Sequence, residues 1–191
     1  MQAAPTGNTQ EKVKMLLQYL AIFPNACIRF YTADMLLYVD SDAAYVIADK
    51  AKSRIVVFFY CSDRSTTNPP KPKLNGPIHV DCKLLRNVVT LVAEAETAGL
   101  FVNGQKVIEI KRILNALGHP QPMTPIKTDN ATAASFVTDM LKKKRSITWD
   151  MRYHWLSEQQ NLKKVLIYWE KGIHNLADHH TKHHPPSYHK K

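Results

Sequence analysis

The hydrophobic pattern of the chain predicts a meander of three strands, followed by strands that alternate with helices. An apolar and aromatic run over residues 35–44 contains Asp40 and Asp42 near its end, which predicts a strand that brings carboxylates to one end of a sheet. Further strands are predicted over residues 53–60, joined to the first by a hairpin, and over residues 77–82. The first pairing is therefore expected to be antiparallel.

Helical spacing begins after the third strand. Apolar residues recur at helical intervals over residues 89–117 and predict a long helix. Asn103-Gly104 is a candidate break in it, because Gly inside a helix costs about 1 kcal/mol relative to Ala. The remaining pattern predicts a strand over 126–129, a helix from Asn130 to about residue 141, a strand over 165–169 and a helix over 175–183.

The predicted order, β-β-β-α-β-α-β-α, indicates an α/β protein in which a mixed five-stranded sheet is flanked by helices. A chain of 191 residues is long enough for one domain with a substantial core. The prolines and lysines of residues 63–76 predict a loop, which either stays extended in solvent or contacts a substrate.

The charge of the chain indicates what kind of molecule it binds. The formal net charge is +10. Residues 141–191 hold eleven Lys and Arg against four Asp and Glu, so most of the excess lies near the C-terminus. A basic surface favours polyanions, of which nucleic acid is the commonest, although a soluble basic protein without such a partner is the alternative.

Cysteine usage and hydropathy indicate the compartment. Cys27, Cys61 and Cys82 lack the spacing of metal ligands, which suggests reduced thiols inside a cell. No apolar run approaches about 18 residues, and the N-terminus lacks the regions of a signal peptide. We therefore expect a soluble, non-secreted protein without a membrane partner.

Histidines near the C-terminus form two pairs with helical spacing, His179 with His183 and His180 with His184. Such pairs bind Zn²⁺ in some proteins. Pro185 ends the helix directly after them, which favours the interpretation as a cationic tail.

Four acids lie where a sheet of this order brings them towards one end: Asp42, Glu96, Asp129 and Asp178. Four convergent carboxylates repel one another unless divalent cations neutralise them. Such a site suits the hydrolysis of phosphodiesters. The alternatives are that these acids are scattered surface residues, or that Asp40 and Asp42 cap the turn after their strand.

Five short motifs occur in the order of one family, and the match to that family covers about residues 10–184. They are Ser41-Asp42-Ala43, Glu94-Ala95-Glu96, Thr128-Asp129-Asn130, Asp150-Met151-Arg152-Tyr153-His154 and Asn175-Leu176-Ala177-Asp178-His179-His180-Thr181-Lys182. On these motifs the chain resembles the ribonuclease H domain of a copia-type LTR-retrotransposon polyprotein.

The resemblance implies a ribonuclease H fold that cleaves the RNA strand of RNA–DNA hybrids during reverse transcription. It implies two Mg²⁺ ions, with Mn²⁺ as an alternative ion, and no small-molecule cofactor. The implied metal ligands and catalytic acids are Asp42, Glu96, Asp129 and Asp178, with Asp40 either beside the ligands or on the surface. The implied partners are the hybrid and the polymerase region of the same polyprotein, in the cytoplasm within a virus-like particle or in the nucleus.

The same resemblance divides the chain. Residues 1–34, with a predicted helix over 10–22, resemble the segment that connects polymerase to nuclease. Residues 35–184 form the ribonuclease H-like domain, and residues 185–191 a basic His/Lys tail.

Further functional residues lie outside the four acids. His174 either assists proton transfer or is a loop histidine. The run Lys142, Lys143, Lys144 and Arg145, together with Arg152, is expected to hold phosphates, although a basic helix end in solvent would have the same composition. The alternative function is a non-catalytic nucleic-acid-binding module, a remnant of a decayed retrotransposon.

Overall fold

A computed structural model describes residues 5–25, 27–48, 52–85, 89, 91–137 and 147–181. The chain divides into two compact units, Met1–Phe30 and Tyr31–Lys191. In the described residues, the helices are too short or too polar to cross a membrane.

The smaller unit contains helix α1, Gly7–Ile22. Its start is fixed by Thr6, whose side chain accepts a hydrogen bond from the Thr9 N–H, while the Thr9 side chain accepts one from the Thr6 N–H. This reciprocal cap satisfies backbone donors that a helix otherwise leaves unpaired. The helix therefore begins before the predicted residue 10.

The larger unit is built on a five-stranded sheet with the order β3-β2-β1-β4-β5. Its strands are β1 Leu36–Ala48, β2 Lys52–Ser62, β3 Pro77–Leu84, β4 Thr124–Thr128 and β5 Val165–Trp169. The pairs β1–β2 and β2–β3 are antiparallel, and β1–β4 and β4–β5 are parallel. The predicted mixed sheet is confirmed.

Strand β1 is longer than the predicted 35–44, and Asp42 lies inside it rather than at its end. The strand continues because its far half still pairs with β2, up to Ala48 opposite Lys52. On its other side, β4 pairs Ile126 with Val39 and Lys127 with Asp40. The same offset brings the residue after β4, Asp129, level with Asp42.

The helices of the larger unit are α2 Val92–Ala116, α3 Ala131–Val137, α4 Ile147–Asn161 and α5 Asp178–Thr181, with a 3₁₀ turn at Gly172–His174. Sequence reasoning missed α4. Its buried side chains among the described residues are Tyr153, Leu156 and Gln159, a stripe too narrow and too polar to give a clear helical pattern. The last helix begins at Asp178, three residues later than predicted.

Helix α2 has no break at Asn103-Gly104. Asn103 is buried, and its amide donates to the Ser41 hydroxyl (2.9 Å) and to the Val56 carbonyl (3.2 Å). A Cβ on Gly104 would lie 3.1 Å from the Trp155 ring, so glycine here lets α4 approach closely. Packing offsets the low helix propensity of this pair.

The sheet has two different faces. Leu37, Val39 and Ile126 lie in the main core cluster with residues of α2 and α4. Alternate residues of β1 point the other way, where Leu36 and Tyr38 pack with Tyr60. The 63–76 loop is joined to this second face, since the Tyr38 hydroxyl donates to the Asp63 carbonyl (2.9 Å) and the Tyr168 hydroxyl to that of Pro70 (3.3 Å).

Candidate metal centre

Three of the predicted acids converge beside the C-terminal end of β4. One carboxylate oxygen from each of Asp42, Asp129 and Asp178 lies within 4.8 Å of the other two. The side chains of Asp42 and Asp178 are only 2% and 6% exposed, whereas Asp129 is partly exposed. The cluster therefore has two buried members and one that reaches solvent.

The backbone at Asp129 is held by β5 and the residue after it. The Trp169 indole N–H donates to the Asp129 carbonyl (2.9 Å), and the Glu170 N–H donates to the Thr128 carbonyl (3.0 Å). Asn130 caps α3, because its side chain accepts from the Ala133 N–H (2.9 Å). The helix predicted from Asn130 thus begins with Asn130 as its cap and Ala131 as its first residue.

Asp178 is held through the buried Asn175. The Asn175 amide donates to the Ser41 carbonyl on β1 (2.9 Å), and its oxygen accepts from the Ala177 N–H (3.1 Å). Because Ser41 precedes Asp42, this one side chain ties the segment before α5 to the strand that carries the first acid. Asn175 is thus a turn residue rather than the start of the predicted helix.

A buried ion pair supports the same segment. The Lys127 ammonium lies 2.9 Å from Asp40 Oδ2 and donates to the His174 carbonyl (2.6 Å). Asp40 Oδ2 also accepts from the Leu176 N–H (3.0 Å). Burial raises the pKa of Asp40, and the neighbouring Lys127 opposes that rise.

Asp40 is 1% exposed, so of its two expected places the surface is excluded, and the acid is buried and paired with Lys127. Sequence reasoning missed its partner, Lys127, which is only 8% exposed. The sequence contained a sign of this pair, because Lys127 is a single lysine within a predicted strand of the sheet. A buried lysine nearly always has an acidic partner.

Glu96 is not one of the three acids that approach within 4.8 Å. It lies near the start of α2 and is 4% exposed, while Glu94 in the first turn is partly exposed. The structure thus brings together three of the four predicted acids, and the role of Glu96 stays a prediction.

The donor set fits a divalent cation. Carboxylate oxygens are the ligands that Mg²⁺ and Ca²⁺ prefer, and three carboxylates this close repel one another when ionised. The cluster includes neither His nor Cys, the ligands typical of zinc sites.

The other predicted residues lie at varied places. Lys142, Lys143, Lys144 and Arg145 fall outside the described residues, as do His183 and His184 of the two predicted zinc pairs. Arg152 is partly buried on α4, and His154 is exposed there with its ring 5.3 Å from that of Tyr153.

His174 is exposed on the 3₁₀ turn. With Tyr60, Lys127 and Tyr168 it lines a cavity of about 430 Å³ beneath the 63–76 loop. The loop thus packs against the second face of the sheet, next to His174.

The architecture is also found in solved structures. The N-terminal RNase H domain of rv2228c from Mycobacterium tuberculosis superposes with a TM-score of 0.52 at 9% identity, over 77% of this chain and 94% of that one. This superposition identifies the fold as that of ribonuclease H. LC11-RNase H1, solved in complex with an RNA/DNA hybrid, gives a TM-score of 0.49 at 12% identity, over 75% of this chain and 91% of that one.

A sequence relative supports the same resemblance. The chain is 27% identical over 174 residues, 90% of its length, to the Retrovirus-related Pol polyprotein from transposon TNT 1-94 of Nicotiana tabacum. It spans 12% of the length of that polyprotein. No protein-family model matches the chain. The predicted resemblance to a ribonuclease H region of a retrotransposon polyprotein is confirmed.

Proposed function

We propose that the chain is a metal-dependent endoribonuclease that cleaves the RNA strand of RNA–DNA hybrids. It would act as the ribonuclease H region of a copia-type retrotransposon polyprotein, beside the polymerase region of the same polyprotein. The observation that carries the proposal is the convergence of Asp42, Asp129 and Asp178 on a ribonuclease H fold.

The proposed cofactor is Mg²⁺, with Mn²⁺ as an alternative ion. Asp42, Asp129 and Asp178 would hold it, and Glu96 is proposed as a fourth ligand. When bound, divalent cations stabilise the charged oxygens of phosphodiester hydrolysis. The partial exposure of Asp129 supports access of a phosphodiester from the solvent side of the cluster.

The chain's own residues have separate proposed tasks. Buried Asp42 and Asp178 fix the site to β1 and to the start of α5. Arg152 and the run from Lys142 to Arg145 would bind phosphates and so orient the hybrid without reading its sequence. His174 would transfer a proton to the leaving group.

The proposal has consequences for location. The RNA–DNA hybrid of a retrotransposon forms during reverse transcription. We therefore expect the protein within a virus-like particle in the cytoplasm, or in the nucleus.

The test is cleavage of a labelled RNA–DNA hybrid in Mg²⁺ by the full chain. Wild-type protein should cut the RNA strand, Asp129→Asn should not, and Glu158→Gln, which changes an exposed acid on α4, should cut normally. A wild-type protein that binds the hybrid without cleaving it would favour the non-catalytic binding module instead.

A further inference from the structure

Gly172 lies against the carboxylate of Asp129. A Cβ built on this glycine would be 2.9 Å from Asp129 Oδ2, 3.6 Å from its Cβ and 3.7 Å from its Cγ. The first distance is shorter than real Cβ contacts, so one of the two partners would have to move. The three heavy atoms nearest to this added carbon all belong to the side chain of Asp129, a candidate metal ligand.

The backbone conformation does not explain the glycine. The φ angle of Gly172 lies outside the left-handed range, which Gly118 occupies with φ of 87°. An alanine would therefore suit the backbone of residue 172. The requirement for a hydrogen in place of a methyl group comes from Asp129.

The backbone around Gly172 is held on both sides. The Glu170 N–H donates to the Thr128 carbonyl (3.0 Å), and the His174 carbonyl accepts from the buried Lys127 ammonium (2.6 Å). Both anchors belong to β4, the strand that leads into Asp129. A methyl group on residue 172 would therefore displace the carboxylate, which can rotate, before it displaced the main chain.

We infer that Gly172 is a positioning residue for the proposed metal centre. Because residue 172 has no side chain, the Asp129 carboxylate can occupy the position that it has in the cluster. The Trp169 indole, which donates to the Asp129 carbonyl, fixes the backbone of the same residue. This inference rests on the proposed function, because it assigns Asp129 to a divalent cation.

The test measures Mn²⁺ affinity by calorimetry on the full chain, and thermal melting without metal by circular dichroism. Gly172→Ala should bind Mn²⁺ about tenfold or more weakly, the usual effect of changing a residue that orients a metal ligand. Its melting temperature without metal should match wild type, since only a side chain moves. Trp169→Phe keeps an aromatic ring but removes the N–H that donates to the Asp129 carbonyl, so it should also weaken Mn²⁺ binding.

Two controls separate this role from a general effect of the substitution. Gly7→Ala adds a methyl group where nothing lies within 4 Å and should bind Mn²⁺ as wild type does. In an Asp129→Asn background, Gly172→Ala should cause little further loss, because both changes act on the same ligand.

Each remaining outcome is decisive. If Gly172→Ala binds Mn²⁺ as tightly as wild type, this inference is wrong and the proposed function still stands. The same conclusion follows if Gly172→Ala unfolds, or if Gly7→Ala loses as much Mn²⁺ affinity as Gly172→Ala does. A wild-type chain that binds no Mn²⁺ would overturn the proposed function and this inference with it.

Discussion

The three cysteines differ in how far solvent reaches their sulfur atoms. Cys27 and Cys82 are exposed, whereas Cys61 is buried in β2. Burial raises the pKa of the Cys61 thiol to about 11. At pH 8 it should therefore contain about a hundredfold less thiolate than an ordinary cysteine.

We expect iodoacetamide at pH 8 to modify Cys27 and Cys82 first and to leave Cys61 largely unmodified, as peptide mass spectrometry would show. In guanidinium chloride all three should react at similar rates. Rapid alkylation of Cys61 in the native protein would contradict its placement in the core.

If Asp129 holds the proposed cation, metal binding and stability should be linked through this residue. Without cations, the three close carboxylates repel one another, so Asp129→Asn should melt at a higher temperature than wild type in EDTA. At a hundredfold excess over Kd, Mg²⁺ should stabilise wild type by about 2.7 kcal/mol. For a chain of this length that corresponds to a rise of roughly 5–10 °C in Tm.

Asp129→Asn should gain less from Mg²⁺, because it would lack one of the proposed ligands. The matched control is Glu158→Gln, which should behave as wild type in both conditions. Equal responses of wild type and Asp129→Asn to Mg²⁺ would mean that the three acids are not a cation site.

At the scale of elements, the Lys127–Asp40 pair connects β1, β4 and the segment before α5. Lys127→Met would leave Asp40 buried without its cation, a change that usually costs about 3–5 kcal/mol. Urea denaturation should show this loss. The double variant Asp40→Asn/Lys127→Met should be more stable than Lys127→Met alone, because the amide still accepts from the Leu176 N–H while the buried charge is gone.

This view would be contradicted if the double variant lost as much free energy of unfolding as the two single variants lose together. The pair would then act as two independent residues rather than as one connection between elements.

Local signals were enough for several elements. The predicted bounds of β5, residues 165–169, coincide with the structure because five apolar and aromatic residues stand between charged ones. The end of β1 was not predictable in this way, since the residues after Asp42 suit a strand or a helix and only pairing with β2 decides between them.

The candidate site, like the strands, could be predicted only in part from the sequence. The strand pattern and the motifs pointed to Asp42, Asp129 and Asp178, and the structure brings these three together. The pairing of Lys127 with Asp40 and the contact of Gly172 with Asp129 depend on neighbours that are distant in the chain. No local pattern encodes such contacts.

At the scale of the whole molecule, the net charge of +10 predicts salt-dependent binding of nucleic acid. If residues 142–145 contact phosphates, changing all four to Gln should lower the log–log slope of hybrid affinity against salt by about 0.7–0.9 per contact. Fluorescence anisotropy with a labelled hybrid, in an Asp129→Asn background that prevents cleavage, would measure the slope.

The matched control changes four exposed lysines elsewhere, Lys12, Lys14, Lys163 and Lys164, to Gln. It removes the same charge and should change the slope less. An equal effect of both variants would assign the salt dependence to overall charge rather than to the run.

The three acids of the cluster come from residues 42, 129 and 178, so they emerge at different times during synthesis. A ribosome that adds about 5–20 residues per second needs roughly 2–10 s to pass from Asp129 to Asp178. Until then the growing chain holds an incomplete set of the three carboxylates, whatever part of the sheet has already formed. A polypeptide that stalls or is cut before Asp178 therefore lacks the complete cluster, and only a chain translated past this point can assemble it.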